Sequence, residues 1–310
     1  MRGRRAPVDL TARIGRVELR NPVMTAAGTS GHGAELAAYF DLAELGAVVV
    51  KSLSVDPWPG NPPPRLRPVT GGMLNSVGLQ GPGLAAWLAR DLPALEAARA
   101  RVVVSIWGRR VDEYGRAAAL LASASTAIVA LELNVSCPNL DGGREMFARS
   151  PAATAEVVAA CGVAGLPRWV KLSPGTANLV EVAGAAVDAG AEALTLVNTL
   201  PGLAIRTDLR RGALGGGGGG LSGPALHAVA LRAVADVASA MPEVPIVGVG
   251  GVMSGPDAVE FLLAGARAVQ VGTATLVDPR APARVLAELR RWCAANGVER
   301  IADLVGGAHG

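Results

Sequence analysis

A closed α/β architecture, the (β/α)8 TIM barrel with extended loops after strands 2 and 6, is what this sequence predicts. Three features of the chain point there. Eight short apolar runs rich in β-branched residues recur along it, stretches with helical spacing separate them, and 310 residues suit one slightly enlarged barrel. An open doubly wound sheet would need a G-x-G-x-x-G turn after its first strand, and that order does not follow the first run here.

The runs are "PVMTAA" (22–27), "AVVVK" (47–51), "RVVVSI" (101–106), "ALELNVS" (130–136), "RWVKL" (168–172), "ALTLVN" (193–198), "VPIVGV" (244–249) and "RAVQVG" (267–272). The fourth shows the period-two signature most plainly, with Leu131, Leu133 and Val135 alternating with Glu132, Asn134 and Ser136. Between the runs, "AELAAYFDLAELG" and "PDAVEFLLAGA" carry helical spacing. Strand, helix and strand in repetition imply parallel pairing with right-handed crossovers.

Two connections are too long for plain βα units. One spans about 52–100 and contains "PWPGNPPPRLRPVTGGMLNSVGLQGPG"; the other spans about 199–243 and contains "GGGGGGLSGP". The six glycines, Gly215 to Gly220, fit either a floppy linker or a rigid turn that approaches a ligand closely. No shift in composition marks a boundary, so residues 1–310 read as one domain with insertions.

Bulk properties narrow the function. Lys and Arg number 29 against 26 Asp and Glu, and beyond "MRGRR" the basic residues are scattered, which gives no footprint for nucleic acid. The basic start lacks the apolar run of a secretory signal, and no stretch reaches the roughly twenty apolar residues that span a bilayer. The expectation is a cytoplasmic protein. Cys137, Cys161 and Cys293 lie far apart without a CxxC, and three cysteines are too few for an iron–sulfur cluster of the chain's own. His32, His227 and His309 show no ligand spacing, so no metal site is expected.

Barrel active sites form at the C-terminal ends of the strands. Those ends carry Lys51, then Asn134 and Cys137, then Lys171, then Asn198 and Thr199. Singly, a strand-end lysine suits a snorkelling surface position and a cysteine suits core filling. Around one ring they suggest a site. After strands 7 and 8, "GVGGV" and "VGTA" offer glycine turns whose N–H groups suit an anion, which places a cofactor phosphate at Gly250, Gly251, Gly272 and Thr273. Two lysines at the same mouth suit a cofactor ring that gains negative charge on reduction, as a flavin does.

"KSLSVDPWPGNPPPR", "GGMLNSVGLQGPG", "ELNVSCPN", "VKLSP", "VNT", "GGLSGP", "GVGGV" and "VGTA" together resemble, in this order, class 1 dihydroorotate dehydrogenases. The "GMLNSVGLQ" and "VKLSP" versions resemble the class 1B catalytic subunit more than the fumarate-using 1A enzymes. The resemblance covers about residues 13 to 305. It implies an FMN-containing barrel that oxidises dihydroorotate to orotate in pyrimidine synthesis. Cys137 matches the base that takes a proton from C5 while hydride leaves C6 for the flavin. Lys51, Asn75, Ser76, Val77, Gly78, Leu79, Asn134, Asn139, Asn198 and Thr199 match substrate-binding positions. Ala27, Lys51, Ser52, Ser105, Asn134, Lys171, Val197, Gly223, Gly250, Gly251, Gly272 and Thr273 match FMN-binding positions. Amides suit a ring of alternating N–H and C=O groups, because each offers donors and an acceptor.

On the same basis, Pro138 biases Cys137 towards extended backbone beyond the strand. The resemblance also implies a separate subunit carrying FAD and a [2Fe–2S] cluster, which passes electrons to NAD in a heterotetramer built on a homodimer core. Ala27 stands where relatives often have Ser, and Ser105 where an Asn usually meets the flavin, so that contact is expected to be lost or bridged by water. Two other enzymes share parts of the pattern. A fumarate-reducing 1A-like homodimer shares the chemistry. A tRNA dihydrouridine synthase shares the FMN barrel and a Cys-Pro after strand 4, but such enzymes add a C-terminal RNA-binding domain and need a stronger basic surface. A scaffold that has lost catalysis would not be expected to keep Cys137, Lys51 and the asparagines together.

Overall fold

The computed structural model describes residues 7–136 and 145–309. All eight apolar runs form strands: β1 (Val23–Thr25), β2 (Val48–Val49), β3 (Val102–Ile106), β4 (Ile128–Asn134), β5 (Arg168–Leu172), β6 (Ala193–Leu196), β7 (Ile246–Val249) and β8 (Ala268–Val271). They pair in parallel in the order 1-8-7-6-5-4-3-2. A parallel bridge between Met24 and Ala47 joins β1 to β2 and closes the ring. Thr25 Oγ1 reinforces that seam, accepting from Val49 N at 2.8 Å.

Period-two alternation divides the buried apolar side chains into two clusters separated by the sheet. Met24, Val49, Val103, Ala130, Trp169, Ala193, Val247 and Ala268 fill the barrel interior. A hairpin, Ala12–Ile14 paired antiparallel with Val17–Leu19, adds Ile14 and Leu19 to that cluster and plugs the end where the strands begin. Outward residues such as Val48, Val102, Leu131, Val170, Leu194, Ile246 and Val269 instead meet the surrounding helices.

Those helices are α1 (Leu84–Ala97), α2 (Val111–Leu121), α3 (Pro151–Ala160), α4 (Leu179–Asp188), α5 (His227–Ala240), α6 (Gly255–Leu263), the short α7 (Thr273–Val277) and α8 (Ala281–Asn296). The start of α6 shows how local sequence sets an element. Ser254 and Asp257 exchange a reciprocal capping box, and Pro256 lies in the first turn, where its missing N–H costs nothing. The helix expected over "AELAAYFDLAELG" does not form. Two 3-10 turns, Glu35–Ala38 and Leu42–Glu44, take its place, because Asp41 is extended and its side chain caps Ala43 N, starting a new turn.

The two long loops meet over the barrel mouth. Leu66–Val69, Gly72–Asn75, Gly219–Ser222 and Leu200–Gly202 make a four-stranded antiparallel sheet in the order Leu200–Gly202, Gly219–Ser222, Gly72–Asn75, Leu66–Val69. The six-glycine run is therefore not a linker. A Cβ on Gly215 would collide with Pro62 O, on Gly219 with Asn75 O, and on Gly220 with Thr199 Oγ1. Glycine is required there because two backbones approach within side-chain distance. Among the described residues no helix is long and apolar enough to cross a membrane.

Candidate active site

A cleft opens at the C-terminal ends of the strands, beneath the four-stranded loop sheet. Its floor and walls come from the strand ends: Ala27 after β1, Lys51 and Ser52 after β2, Asn134 on β4, Lys171 on β5, and Val197, Asn198 and Thr199 after β6. Gly250 and Gly251 after β7, with Gly272 and Thr273 after β8, form one end. Asn75, Val77, Leu79 and Gly223 enter from the long loops. Residues more than 240 positions apart thus meet in one cleft.

Ser76 and Gly78 do not line the cleft. The backbone there alternates, so Asn75, Val77 and Leu79 face inward while their neighbours build the loop. Ser76 Oγ accepts from Asn61 Nδ2 at 2.9 Å, and Gly78 O accepts from the Trp58 indole N–H at 2.9 Å. Ser105 is also set back. It is fully buried and its hydroxyl lies 2.9 Å from Ser52 Oγ, so it reaches the cleft only through Ser52. Cys137 and Asn139 lie outside the described residues.

The amides are held by their neighbours. Asn198 Nδ2 donates to Asn134 Oδ1 at 3.1 Å, and Asn134 Nδ2 donates to Ser52 Oγ at 3.4 Å. Asn198 Oδ1 accepts from Thr199 N at 2.9 Å, and the Tyr114 hydroxyl donates to Asn134 O at 2.7 Å. Each side chain is oriented by a neighbour, which lowers the entropy lost on binding a flat polar ring. Asn75, on the opposite wall, is fixed by donating to Gly220 O at 3.1 Å.

The glycine end fits a phosphate. Gly223, Gly250 and Gly251 have φ of 92°, 131° and 75°, conformations that L side chains rarely adopt. A Cβ on Gly251 would lie 2.6 Å from His227 Cβ, and one on Gly250 would lie 2.8 Å from Ala230 Cβ. Only bare backbone can stand there, so this end of the cleft is walled by peptide groups rather than side chains. Thr273 Oγ1, donating to Ser222 Oγ at 2.8 Å, ties the β8 end to the loop sheet.

Beneath the cleft lies a polar layer that the sequence reading did not single out. Glu132 on β4 and Gln270 on β8 are fully buried inside the barrel. Gln270 Nε2 donates to Glu132 Oε2 at 2.6 Å, and Lys171 Nζ stands 3.6 Å from Glu132 Oε1. The signal was present in the sequence, since a carboxylate between Leu131 and Leu133 and an amide between Val269 and Val271 break otherwise apolar strands. Beside the cleft, His32 is held below its ordinary pKa, first by burial and then by the Lys51 cation, so it is neutral near pH 7.

Comparison with known proteins agrees with this geometry. A family model described as dihydroorotate dehydrogenase matches residues 9–292. The chain belongs to the dihydroorotate dehydrogenase family. Among relatives of this family, the dihydroorotate dehydrogenase B (NAD(+)) catalytic subunit of Geobacter metallireducens is 46% identical over 96% of this chain and 97% of its own length. The proteins of the same description from Geobacter sulfurreducens and Geotalea daltonii are also 46% identical, over 96% and 97% of this chain and 97% and 98% of their own lengths. The structure of dihydroorotate dehydrogenase from Eimeria tenella in complex with ferulenol superposes with a TM-score of 0.77 at 23% identity, covering 100% of this chain and 90% of that one. At that identity the likeness speaks for the fold. Membership makes the chain an oxidoreductase of a flavin-dependent family, the dihydroorotate dehydrogenases.

Proposed function

We propose that this chain is the catalytic subunit of an NAD-linked dihydroorotate dehydrogenase, binding FMN and oxidising dihydroorotate to orotate in pyrimidine synthesis. The observation that carries this is the convergence in one cleft of two lysines, three asparagines and a glycine-walled anion pocket drawn from six strand ends and two loops. Gly250, Gly251, Gly272 and Thr273 would hold the phosphate, with Lys171, Ala27, Ser52, Val197 and Gly223 around the rest of the cofactor. Bound FMN supplies the hydride acceptor.

The chain's own residues do the remaining work. Asn75, Asn134 and Asn198 present amide donors and acceptors to the substrate ring, and the bonds among Asn198, Asn134 and Ser52 keep them aimed. Lys51 and Thr199 stand at the same wall. Cys137, three residues beyond Asn134, takes the proton from substrate C5. A free thiol titrates at about 8.5, so the base works best at mildly alkaline pH. The loop sheet covers the cleft and limits its exposure to water.

Electrons leave through a separate subunit carrying FAD and a [2Fe–2S] cluster that reduces NAD, in a heterotetramer around a homodimer of this chain. Relatives at 46% identity that bear the B (NAD(+)) catalytic-subunit description support this acceptor over fumarate. The test uses the purified chain. Dihydroorotate should bleach its bound flavin, NAD alone should not restore the colour at a useful rate, and adding the partner subunit should restore turnover. Rapid reoxidation by fumarate, or by NAD without a partner, would overturn the acceptor assignment.

A further inference from the structure

Glu132 is an unusual residue to find inside a barrel. It is fully buried, it does not line the cleft, and it sits one alternation below Asn134 on β4. Its partners come from different strands. Lys171 Nζ lies 3.6 Å from Oε1, and Gln270 Nε2 donates to Oε2 at 2.6 Å. Thr195 of β6 is buried as well, and neither its hydroxyl nor Gln270 Oε1 has a hydrogen-bond partner among the described residues. Burying a carboxylate is expensive, and an apolar side chain of similar volume usually stabilises as well or better. Packing does not explain the choice of Glu. What distinguishes it is charge, placed behind a lysine, Lys171, that both pairs with it and lines the cleft.

Resting on the FMN reading of this cleft, we infer that Glu132 is a positioning residue that sets the flavin's reduction potential through Lys171. Lys171 faces the cofactor and favours negative charge on the ring. Glu132 stands behind it, anchors its ammonium and offsets part of its field. Gln270 in turn holds Glu132 and disperses its charge by donating to it. Without Glu132, the ring meets an unbalanced cation and the reduced form gains stability.

Shape and charge can be separated here. Glu132→Gln keeps the shape and removes the charge; Glu132→Asp keeps the charge and shortens the side chain; Gln270→Met keeps the carboxylate and removes its donor. The measurement is the two-electron midpoint potential of the bound flavin, by equilibration with reference dyes under anaerobic conditions and without substrate. Glu132→Gln should raise it by at least tenfold in the reduced-to-oxidised equilibrium, about 30 mV for a two-electron couple. Gln270→Met should lower it, and Glu132→Asp should stay near wild type while melting at a lower temperature. A purely structural role predicts the reverse pattern, with Gln silent and Asp damaging. An unchanged or lowered potential in Glu132→Gln overturns the inference. If that variant does not fold, an unchanged or raised potential in Gln270→Met overturns it. Wild-type chain that binds no FMN overturns the cofactor reading and this inference together, whereas an FMN-loaded wild type with silent variants overturns the inference alone.

Discussion

Replacing Gly251 with alanine puts a methyl group where the backbone has φ of 75° and where a Cβ would lie 2.6 Å from His227 Cβ and 2.9 Å from His227 Cα. Two costs follow. The left-handed conformation penalises an L side chain by roughly 1–2 kcal/mol. The collision adds roughly 1–3 kcal/mol, the range for overpacking, because its partners are rooted in α5 and cannot swing away. The sum is about 2–5 kcal/mol of stability. Gly217 supplies the control: its φ is 83°, yet nothing lies within 4 Å of its would-be Cβ, so Gly217→Ala should cost only the conformational part, about 1–2 kcal/mol. Urea midpoints at constant slope measure both. Quenching of FMN fluorescence on binding measures the second consequence. To relieve the clash the β7 turn must move, and FMN affinity should fall at least tenfold in Gly251→Ala while Gly217→Ala binds normally. Equal stability losses and equal FMN affinities in the two variants would refute the steric and phosphate-site reasoning together.

Cys137→Ala should retain FMN and orotate, yet flavin reduction by dihydroorotate should slow by about 10²–10⁴ in stopped-flow absorbance; near-normal reduction would move the base elsewhere. Cys161 is buried and its thiol pushed up to about 12 by desolvation, so at pH 8 it should resist alkylation while Cys137 labels, as read by peptide mass. Burial also raises the Cys293 thiol, which should react slowly as well. For His32, whose pKa is depressed in the folded state, the unfolded chain binds the proton first as pH falls below about 6.5. Folded stability should therefore drop from that point until the folded-state value is passed, and His32→Gln should flatten this part of the melting-temperature profile. An identical acid slope in the variant would remove His32 from the account.

Much of this molecule could be read along the chain. Each of the eight strands coincides with an apolar run, because a strand buried on both faces must be apolar at nearly every position. Strand-end Lys51, Asn134, Lys171 and Asn198 were legible for a related reason: a polar residue at the end of such a run has no apolar partner and must face a site or solvent. The glycines after β7 and β8 declared themselves by pairing with strand ends. The first crossover misled, since Asp41 looks like an ordinary surface residue of a helix until its side chain is seen capping Ala43 N.

The sequence by itself determined the barrel and the ring of polar strand ends, because alternation and burial are local properties of a strand. Only the tertiary structure decided which side chains meet across the ring. It brought Gln270 to Glu132 over a separation of 138 residues and folded the six glycines against Asn75 and Thr199. It also set Ser105 behind Ser52, and sent Ser76 and Gly78 away from the cleft that Asn75, Val77 and Leu79 enter. Periodicity states that a residue points inward; the register and closure of eight strands determine what it finds there.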